Sequence, residues 1–322
     1  MSSSGSDEAT ERIAYLGPAG TFTEAALDGV LAERDGAVPV ERVPMATVGR
    51  CFEAVRLGEV TAAVVPIENS LEGGVNATLD ALSASDPPLV VVAEQLVPVT
   101  FVLAARAGTA LADVRRVASH PHAEAQCRAW LSDTLPDVAV EPAMSTAAAA
   151  AGLAQDGEQP YDAAICAPTA VERYGLHVLA TDIGDRPATT RFVVVSRPGA
   201  VPAATGADRT TVVAYLRENH SGALLELLEQ FSARGVDLTR IESRPTGAGF
   251  GEYCFSIDLD GHVGEPRVAV ALKGLRRLSR HTRFLGSYPR ADRSPTSVPD
   301  WAGGSTFDEA EVWLDELRGP RP

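Results

Sequence analysis

In the stretch DRPATTRFVVV, from Asp185 to Val195, two threonines and an arginine stand directly before an apolar run. A strand requires only the run, so the triplet Thr190-Arg191-Phe192 asks for another explanation. An arginine at a strand start can clamp a carboxylate through both arms of its planar fork. A threonine hydroxyl beside it can donate a hydrogen bond to a departing oxygen. A second cluster, Glu68-Asn69-Ser70, follows the run VVPI and precedes Gly73-Gly74. Amide and hydroxyl groups at the C-terminal end of a strand lie where α/β folds bind ligands, and glycines let backbone approach closely. A third, GPAGTFTEAAL, turns sharply at Gly17–Gly20 and then opens a helix capped by Thr21 or Thr23. Its backbone N–H groups and positive helix end suit a carboxylate or phosphate. The Walker and G-x-G-x-x-G patterns are both absent there.

Each cluster also has a plain structural explanation: a strand start at the surface, an Asx turn, a capped helix after a glycine turn. Three of them at strand ends of one α/β region shift the weight toward a binding cleft. The pair His120-x-His122 suggests a metal, but no carboxylate or cysteine stands at matching spacing. Pro121 fits a first helical turn, so Ser119 and His120 read as caps. No metal ligand set is assigned. Ser70 has no visible base, which argues against acyl transfer.

Two apolar periodicities position these clusters. Over residues 12–200, short strands alternate with helices, which argues for an α/β architecture with mostly parallel sheets. The expected strands are Arg12–Leu16, Pro39–Val43, Ala62–Pro66, one or two within Leu89–Leu103, Arg116–Ser119, Val138–Glu141, Asp162–Cys166 and Arg191–Val195. Helices are expected over Thr23–Arg34, Thr47–Leu57, Asn76–Ser83, Pro121–Leu131, from Ser145 with Ser145 or Thr146 as N-cap, and over Thr169–Tyr174. The run Gly199–Arg209, rich in Gly, Pro and Ala, reads as a linker. Beyond it come a strand Thr211–Leu216, a helix Ser221–Gly235 with Ser221 as N-cap, and a strand Asp237–Pro245. A turn TGAGFG, a strand Glu252–Asp260, a helix Glu265–Arg280 and a strand Arg283–Tyr288 complete a ferredoxin-like βαββαβ unit. A polar tail with one short helix, EAEVWLDEL, follows.

The 322 residues suffice for two or three domains, and the net charge of −15 argues against nucleic acid as partner. A small anionic substrate is not excluded, because it feels the local field of its cleft. Apolar runs are too short for a membrane helix. The start MSSSGSDEATER lacks the basic and apolar segments of a signal peptide, and residues 1–11 read as a disordered tail. Cys51, Cys127, Cys166 and Cys254 are scattered and read as reduced thiols of a cytoplasmic protein.

In order, GPAGTFTEAA, PIENSLEGG, SHPHAEAQC, TTRF, SGALL and ESRP resemble prephenate dehydratase. The likeness is to the monofunctional bacterial form with a C-terminal ACT domain, and it runs from about Ile13 to Tyr288. The resemblance implies a catalytic domain over 12–200 with two lobes like those of type 2 periplasmic binding proteins. Lobe one would be 12–96 with 185–200, and lobe two 97–184. A linker over 201–209, an ACT domain over 210–290 and a tail over 291–322 would follow.

It further implies conversion of prephenate to phenylpyruvate, water and carbon dioxide. Aromatisation drives that reaction, so no cofactor is expected. Thr190 would be the acid or hydrogen-bond donor to the leaving hydroxyl, and Arg191 would hold a carboxylate. Asn69 and Ser70 would hydrogen-bond the substrate, with Thr21 and N–H groups near Gly20 assisting. Phe192 would pack near the ring, and Glu68 would orient Asn69 or Arg191. Phenylalanine, as feedback inhibitor, would bind at Asn219, His220, Ser221, Gly222, Ala223, Leu224 and Leu225 and at Glu242, Ser243, Arg244 and Pro245. Homo-oligomers, dimer or tetramer, would form through ACT domains and through catalytic domains. Two positions depart from the family: Ser221 stands where proline is common, and His122 where glutamine is usual. Arogenate dehydration and non-enzymatic sensing are the alternative readings.

Overall fold

Apolar strands alternate with capped helices through most of the chain. The computed structural model describes residues 10–34, 39–84, 86–247, 249 and 252–319. Most of the expected N-terminal tail and part of the expected turn TGAGFG therefore lie outside the described residues. The first elements are β1 (Glu11–Leu16), α1 (Phe22–Ala32), β2 (Val40–Met45), α2 (Val48–Leu57), β3 (Ala62–Asn69), a two-residue β4 (Gly73–Gly74) and α3 (Asn76–Ser83). Next come β5 (Val90–Val99), β6 (Val102–Ala105), β7 (Arg116–Ser119), α4 (Pro121–Gln126), α5 (Arg128–Thr134), β8 (Ala139–Pro142) and α6 (Thr146–Leu153). Then β9 (Ala163–Cys166), α7 (Pro168–Tyr174), β10 (His177–Ala180) and β11 (Ala188–Ser196) close this part. The remainder is β12 (Asp208–Leu216), α8 (Ala223–Ser232), β13 (Leu238–Pro245), β14 (Tyr253–Asp260), α9 (Pro266–Leu278), β15 (Ser279–Pro289) and α10 (Gly304–Arg318).

The strands form three sheets, ordered β2-β1-β3-β11-β5 with β4 on β3, β10-β6-β9-β7-β8, and β13-β14-β12-β15. In the first, β1 runs parallel to β2 and β3. In the second, β7 runs parallel to β8 and β9, whereas β6 is antiparallel to β9 and β10. That sheet is thus more mixed than the alternating pattern suggests. Strand β3 reads AAVVPIEN and is apolar for most of its length, as a strand covered on both faces must be. All pairings in the third sheet are antiparallel, and its elements follow one another as βαββαβ.

The chain divides into two compact units, one of residues up to 75 with 95–192, the other of 76–94 with 193 onward. In the first, Phe101, Leu103, Val117, Leu131, Ile165 and Ile183 form a buried cluster. In the second, Val212, Leu227, Phe231, Ile257, Val268 and Leu275 fill the space between the third sheet and helices α8 and α9. Ala302 tucks against Gly235, where a Cβ would come within 2.5 Å of its own. Among the described residues no helix is long and apolar enough to cross a membrane.

Several local expectations change. The helix expected over Pro121–Leu131 breaks at Cys127 (φ −118°, ψ 12°). Asp185, far along the chain, caps the second piece by accepting from Ala129 N–H at 3.0 Å and Trp130 N–H at 3.2 Å. Ser221 is not the N-cap of α8. Gly222 holds that position at φ 93°, a left-handed backbone that favours glycine. Strand β10 had no periodic signature over its four residues, and β15 begins where the ninth helix was expected to continue. The caps of α1, α2 and α6 fall to Thr21, Thr47 and Ser145, each accepting an N–H from the first turn. Such a cap is worth about 1 kcal/mol.

Candidate active site

Glu68 and Asn69 end β3, and the chain then folds back sharply. Gly73 pairs with Asn69 and Gly74 with Glu68, so the glycine pair approaches the strand's own backbone. Gly73 sits at φ +81°, which the tight return requires. Asn69 organises the turn, its Oδ1 accepting from Leu71 N–H at 2.8 Å and Glu72 N–H at 3.2 Å.

Those two bonds settle which end of the Asn69 amide is which. The other end, Nδ2, donates to Thr190 Oγ1 at 2.9 Å. Thr190 is therefore an acceptor toward Asn69, and its own hydroxyl proton is left to be given elsewhere. Ser70 donates its N–H to Thr189 O at 2.9 Å, and Ser70 Oγ accepts from Thr189 N–H at 3.0 Å. Arg191 Nε donates to Glu68 Oε2 at 3.2 Å. The partners step 68–191, 69–190, 70–189, as neighbouring antiparallel strands do. Successive residues of a strand face opposite sides, so Thr190 and Phe192 share a face and Arg191 lies on the other. Thr190, Arg191 and Phe192 are all buried. The structure thus brings Asn69 to Thr190, Ser70 to Thr189 and Glu68 to Arg191 across two adjacent strands, with the Glu68–Arg191 pair on the face opposite Thr190.

The Gly17–Gly20 turn is built around a buried carboxylate. Glu24 Oε2 accepts from Gly20 N–H at 2.5 Å, and Oε1 accepts from Tyr15 OH at 3.3 Å and Arg173 Nη1 at 3.4 Å. Burial first, and Glu24 second, push the Tyr15 phenol up to about 12. Thr21 Oγ1 donates to Leu16 O at 3.3 Å and accepts from Glu24 N–H at 3.4 Å. Helix α7 lies on this turn: Tyr174 OH donates to Ala19 O at 2.9 Å, and a Cβ on Gly20 would meet Ala170 Cα at 3.1 Å. In this form the Gly20 N–H and the Thr21 hydroxyl serve the turn itself. The sequence motif shows the glycines and Thr21; Glu24 as their internal acceptor was missed, although its place three residues after a capping threonine is a recognisable signal.

His120 caps α4, its Nδ1 accepting from His122 N–H at 3.3 Å, while Ser119 Oγ donates to Ile165 O at 3.2 Å. Burial, and then the neighbouring His122, lower the His120 pKa, which favours the neutral ring that capping requires. His122 Nδ1 lies 3.0 Å from Glu72 Oε2, and Gln126 Nε2 donates to Glu72 Oε1 at 2.9 Å. Among the described residues no three His, Cys, Asp or Glu side chains converge as metal ligands.

In the second unit, Asn219, His220, Ser221 and Gly222 form an exposed turn into α8. Ala223 is buried, whereas Leu224 and Leu225 are 36% and 59% exposed. Asn219 lines a cavity of about 350 Å³ with Tyr215, Arg217, Tyr253, Arg280 and His281. Glu242, Ser243, Arg244 and Pro245 end β13, an edge strand. Arg244 reaches Asp80 and the Asn76 side-chain oxygen on α3, all within 2.8 Å.

A family model described as prephenate dehydratase matches residues 13–200. A prephenate dehydratase of Amycolatopsis methanolica is 50% identical over 305 residues, covering 94% of this chain and 96% of that relative. One of Mycobacteroides abscessus is 46% identical, covering 97% of this chain and 99% of the relative. The crystal structure of an Arthrobacter aurescens prephenate dehydratase in complex with L-Phe superimposes with a TM-score of 0.89 at 53% identity, covering 96% of this chain and all of that one. Fold and relatives together are those of a mixed α/β enzyme. The chain belongs to the prephenate dehydratase family.

Proposed function

We propose that this enzyme carries out the decarboxylating dehydration of prephenate to phenylpyruvate, with Thr190 as donor to the departing hydroxyl. The observation that carries the residue assignment is the 2.9 Å bond from Asn69 Nδ2 to Thr190 Oγ1. It occupies the acceptor side of the hydroxyl and leaves its proton for the substrate. In the reaction, the electron pair of the ring-to-carboxylate bond enters the ring as carbon dioxide departs. The ring carbon–oxygen bond breaks, and the leaving hydroxide takes up one proton to become water. A threonine is too weak an acid to be a bulk proton source, so Thr190 acts chiefly by hydrogen-bonding charge that develops on the oxygen.

Arg191, on the opposite face of β11, offsets the Glu68 carboxylate beside the site, so its part in holding a substrate carboxylate is through its field rather than a direct clamp. Ser70 lies beside them, Gly20 and Thr21 shape the opposite wall, and Phe192 forms apolar floor on the Thr190 face. The two carboxylates that flank Asn69 in sequence, Glu68 and Glu72, are held by Arg191 and by His122 with Gln126.

The proposed organisation is a two-lobed catalytic domain over 12–200, of the type 2 periplasmic-binding-protein kind. Lobe one is 12–96 with 185–200, and lobe two 97–184. A linker over 201–209, an ACT domain over 210–290 and a tail over 291–322 follow. The βαββαβ order of the third sheet supports the ACT reading. The Arthrobacter aurescens relative bound to L-Phe supports phenylalanine as effector at Asn219–Leu225 and Glu242–Pro245. An edge strand β13 with exposed Ile241, and Leu224 and Leu225 beside it in the proposed effector set, suit pairing with a second copy. Four buried free thiols fit a reducing cytoplasm.

The test is turnover of prephenate by the native enzyme and by Thr190→Ala, with and without phenylalanine. Phenylpyruvate formation, about a hundredfold or greater loss in the variant, and suppression by phenylalanine are expected. Near-normal turnover in Thr190→Ala would remove the proposed donor.

A further inference from the structure

Glu72 has no part in the chemistry just described, yet contacts converge on it. Its N–H is held by Asn69 Oδ1 at 3.2 Å, in the turn that fixes the Asn69 amide on Thr190. Its carboxylate takes Gln126 Nε2 at 2.9 Å on one oxygen and lies 3.0 Å from His122 Nδ1 on the other. Gln126 in turn accepts Asp185 N–H at 2.7 Å through its main-chain oxygen. Asp185 begins the segment that leads into β11 and Thr190. The contacts therefore close a ring: Thr190, Asn69, Glu72, Gln126, Asp185 and back along the chain to Thr190.

We infer that Glu72 is a positioning residue that fastens helix α4 to the Asn69 turn and so holds the proposed lobe two against the reacting hydroxyl. The inference rests on the site proposed around Asn69 and Thr190. Two physical points support it. A carboxylate three residues from Asn69 would repel a dianionic substrate if it pointed at it; His122 and Gln126 hold it on α4 instead. A residue joining two parts that must close over a substrate influences both binding and turnover. His122, where glutamine is usual in the family, provides a second partner to the same carboxylate.

Glu72 and His122 are substantially exposed, with side-chain accessibilities of 42% and 69%. Exposed pairs give modest effects. Glu72→Ala is expected to lower kcat/KM on the order of tenfold, with kcat falling and KM rising together. Glu72→Gln, which still accepts from Gln126, should recover part of that loss. His122→Ala should cost less than Glu72→Ala, and the double variant should be no worse than Glu72→Ala, because Glu72→Ala already removes the contact to His122 along with that to Gln126. Thermal midpoints should stay at the native value, since the residue is on an exposed turn. Native kcat and KM in Glu72→Ala, or fully additive losses in the double variant, would overturn the inference. Thr190→Ala, assayed alongside, separates the cases. If it is inactive while Glu72→Ala is unaffected, only the role of Glu72 falls; if it remains active, the underlying site assignment falls.

Discussion

Asp80 grips Arg244 through both carboxylate oxygens, at 2.7 and 2.8 Å, while Asn76 Oδ1 accepts from the same guanidinium at 2.7 Å. The hydrogen bonds to Asp80 are the main reason the guanidinium pKa is raised. Arg244 belongs to the proposed effector segment, and α3 begins just after the Asn69 turn and its glycine pair. Asp80→Asn keeps the shape and removes the charge. The expected result is a several-fold rise in the phenylalanine concentration for half inhibition, with uninhibited turnover unchanged. Inhibition curves that overlay those of the native enzyme would disconnect this ion pair from regulation.

The direction of the Asn69 bond also makes a prediction. Asn69→Asp replaces a donor by an acceptor at the same place, so Thr190 would turn its proton toward the new carboxylate and away from the substrate. The expected loss in kcat is about a hundredfold, comparable to losing one preorganised donor. Steady-state kinetics would check it, and a variant as fast as the native enzyme would mean the Thr190 proton is not used.

On the third sheet, Arg240 Nε and Nη2 meet the Asp258 carboxylate at 2.9 and 3.0 Å, with both side chains buried. Thr211 adds a bond to Asp258 at 2.8 Å. Removing one partner of a buried pair strands the other charge. Asp258→Ala should therefore destabilise the protein by about 3–5 kcal/mol. Urea unfolding followed by circular dichroism would measure the shift in midpoint.

Burial pushes the thiols of Cys51, Cys127 and Cys166 up to about 12 from an ordinary 9.0. Their folded-state pKa values lie above the unfolded ones, so the fold holds the protons more tightly. That stabilisation is complete below pH 9.0 and is lost as pH rises toward 12. Denaturant midpoints should fall across that alkaline window, and replacing Cys51 by alanine should flatten part of the fall. A thiol reagent added at about pH 8 should label almost nothing until denaturant is present.

The motifs of the candidate site were legible because each is local: a polar cluster against an apolar run marks a strand end wherever it occurs. The ordering of six such motifs carried the family. Helix starts with a capping hydroxyl were equally readable at Thr21, Thr47 and Ser145, since the cap and its N–H lie within one turn. What escaped depends on partners distant in the chain. Nothing near Cys127 signals that the helix breaks there, because the cap for α5 is Asp185. Ser221 looked like a cap by residue type, but the chain has to turn through a left-handed residue first, and only Gly222 suits that. Glu72 offered no signal at all; its meaning comes from His122 and Gln126, brought to it by folding.

At Gly286, the backbone adopts φ +141° and the place a Cβ would occupy lies 2.1 Å from the carbonyl oxygen of Val91. Strand β15 thus rests on β5 main chain to main chain, with no side chain available to yield. In a library of all amino acids at position 286, selected for growth without added phenylalanine, glycine alone should survive, and compensating changes elsewhere should be hard to find.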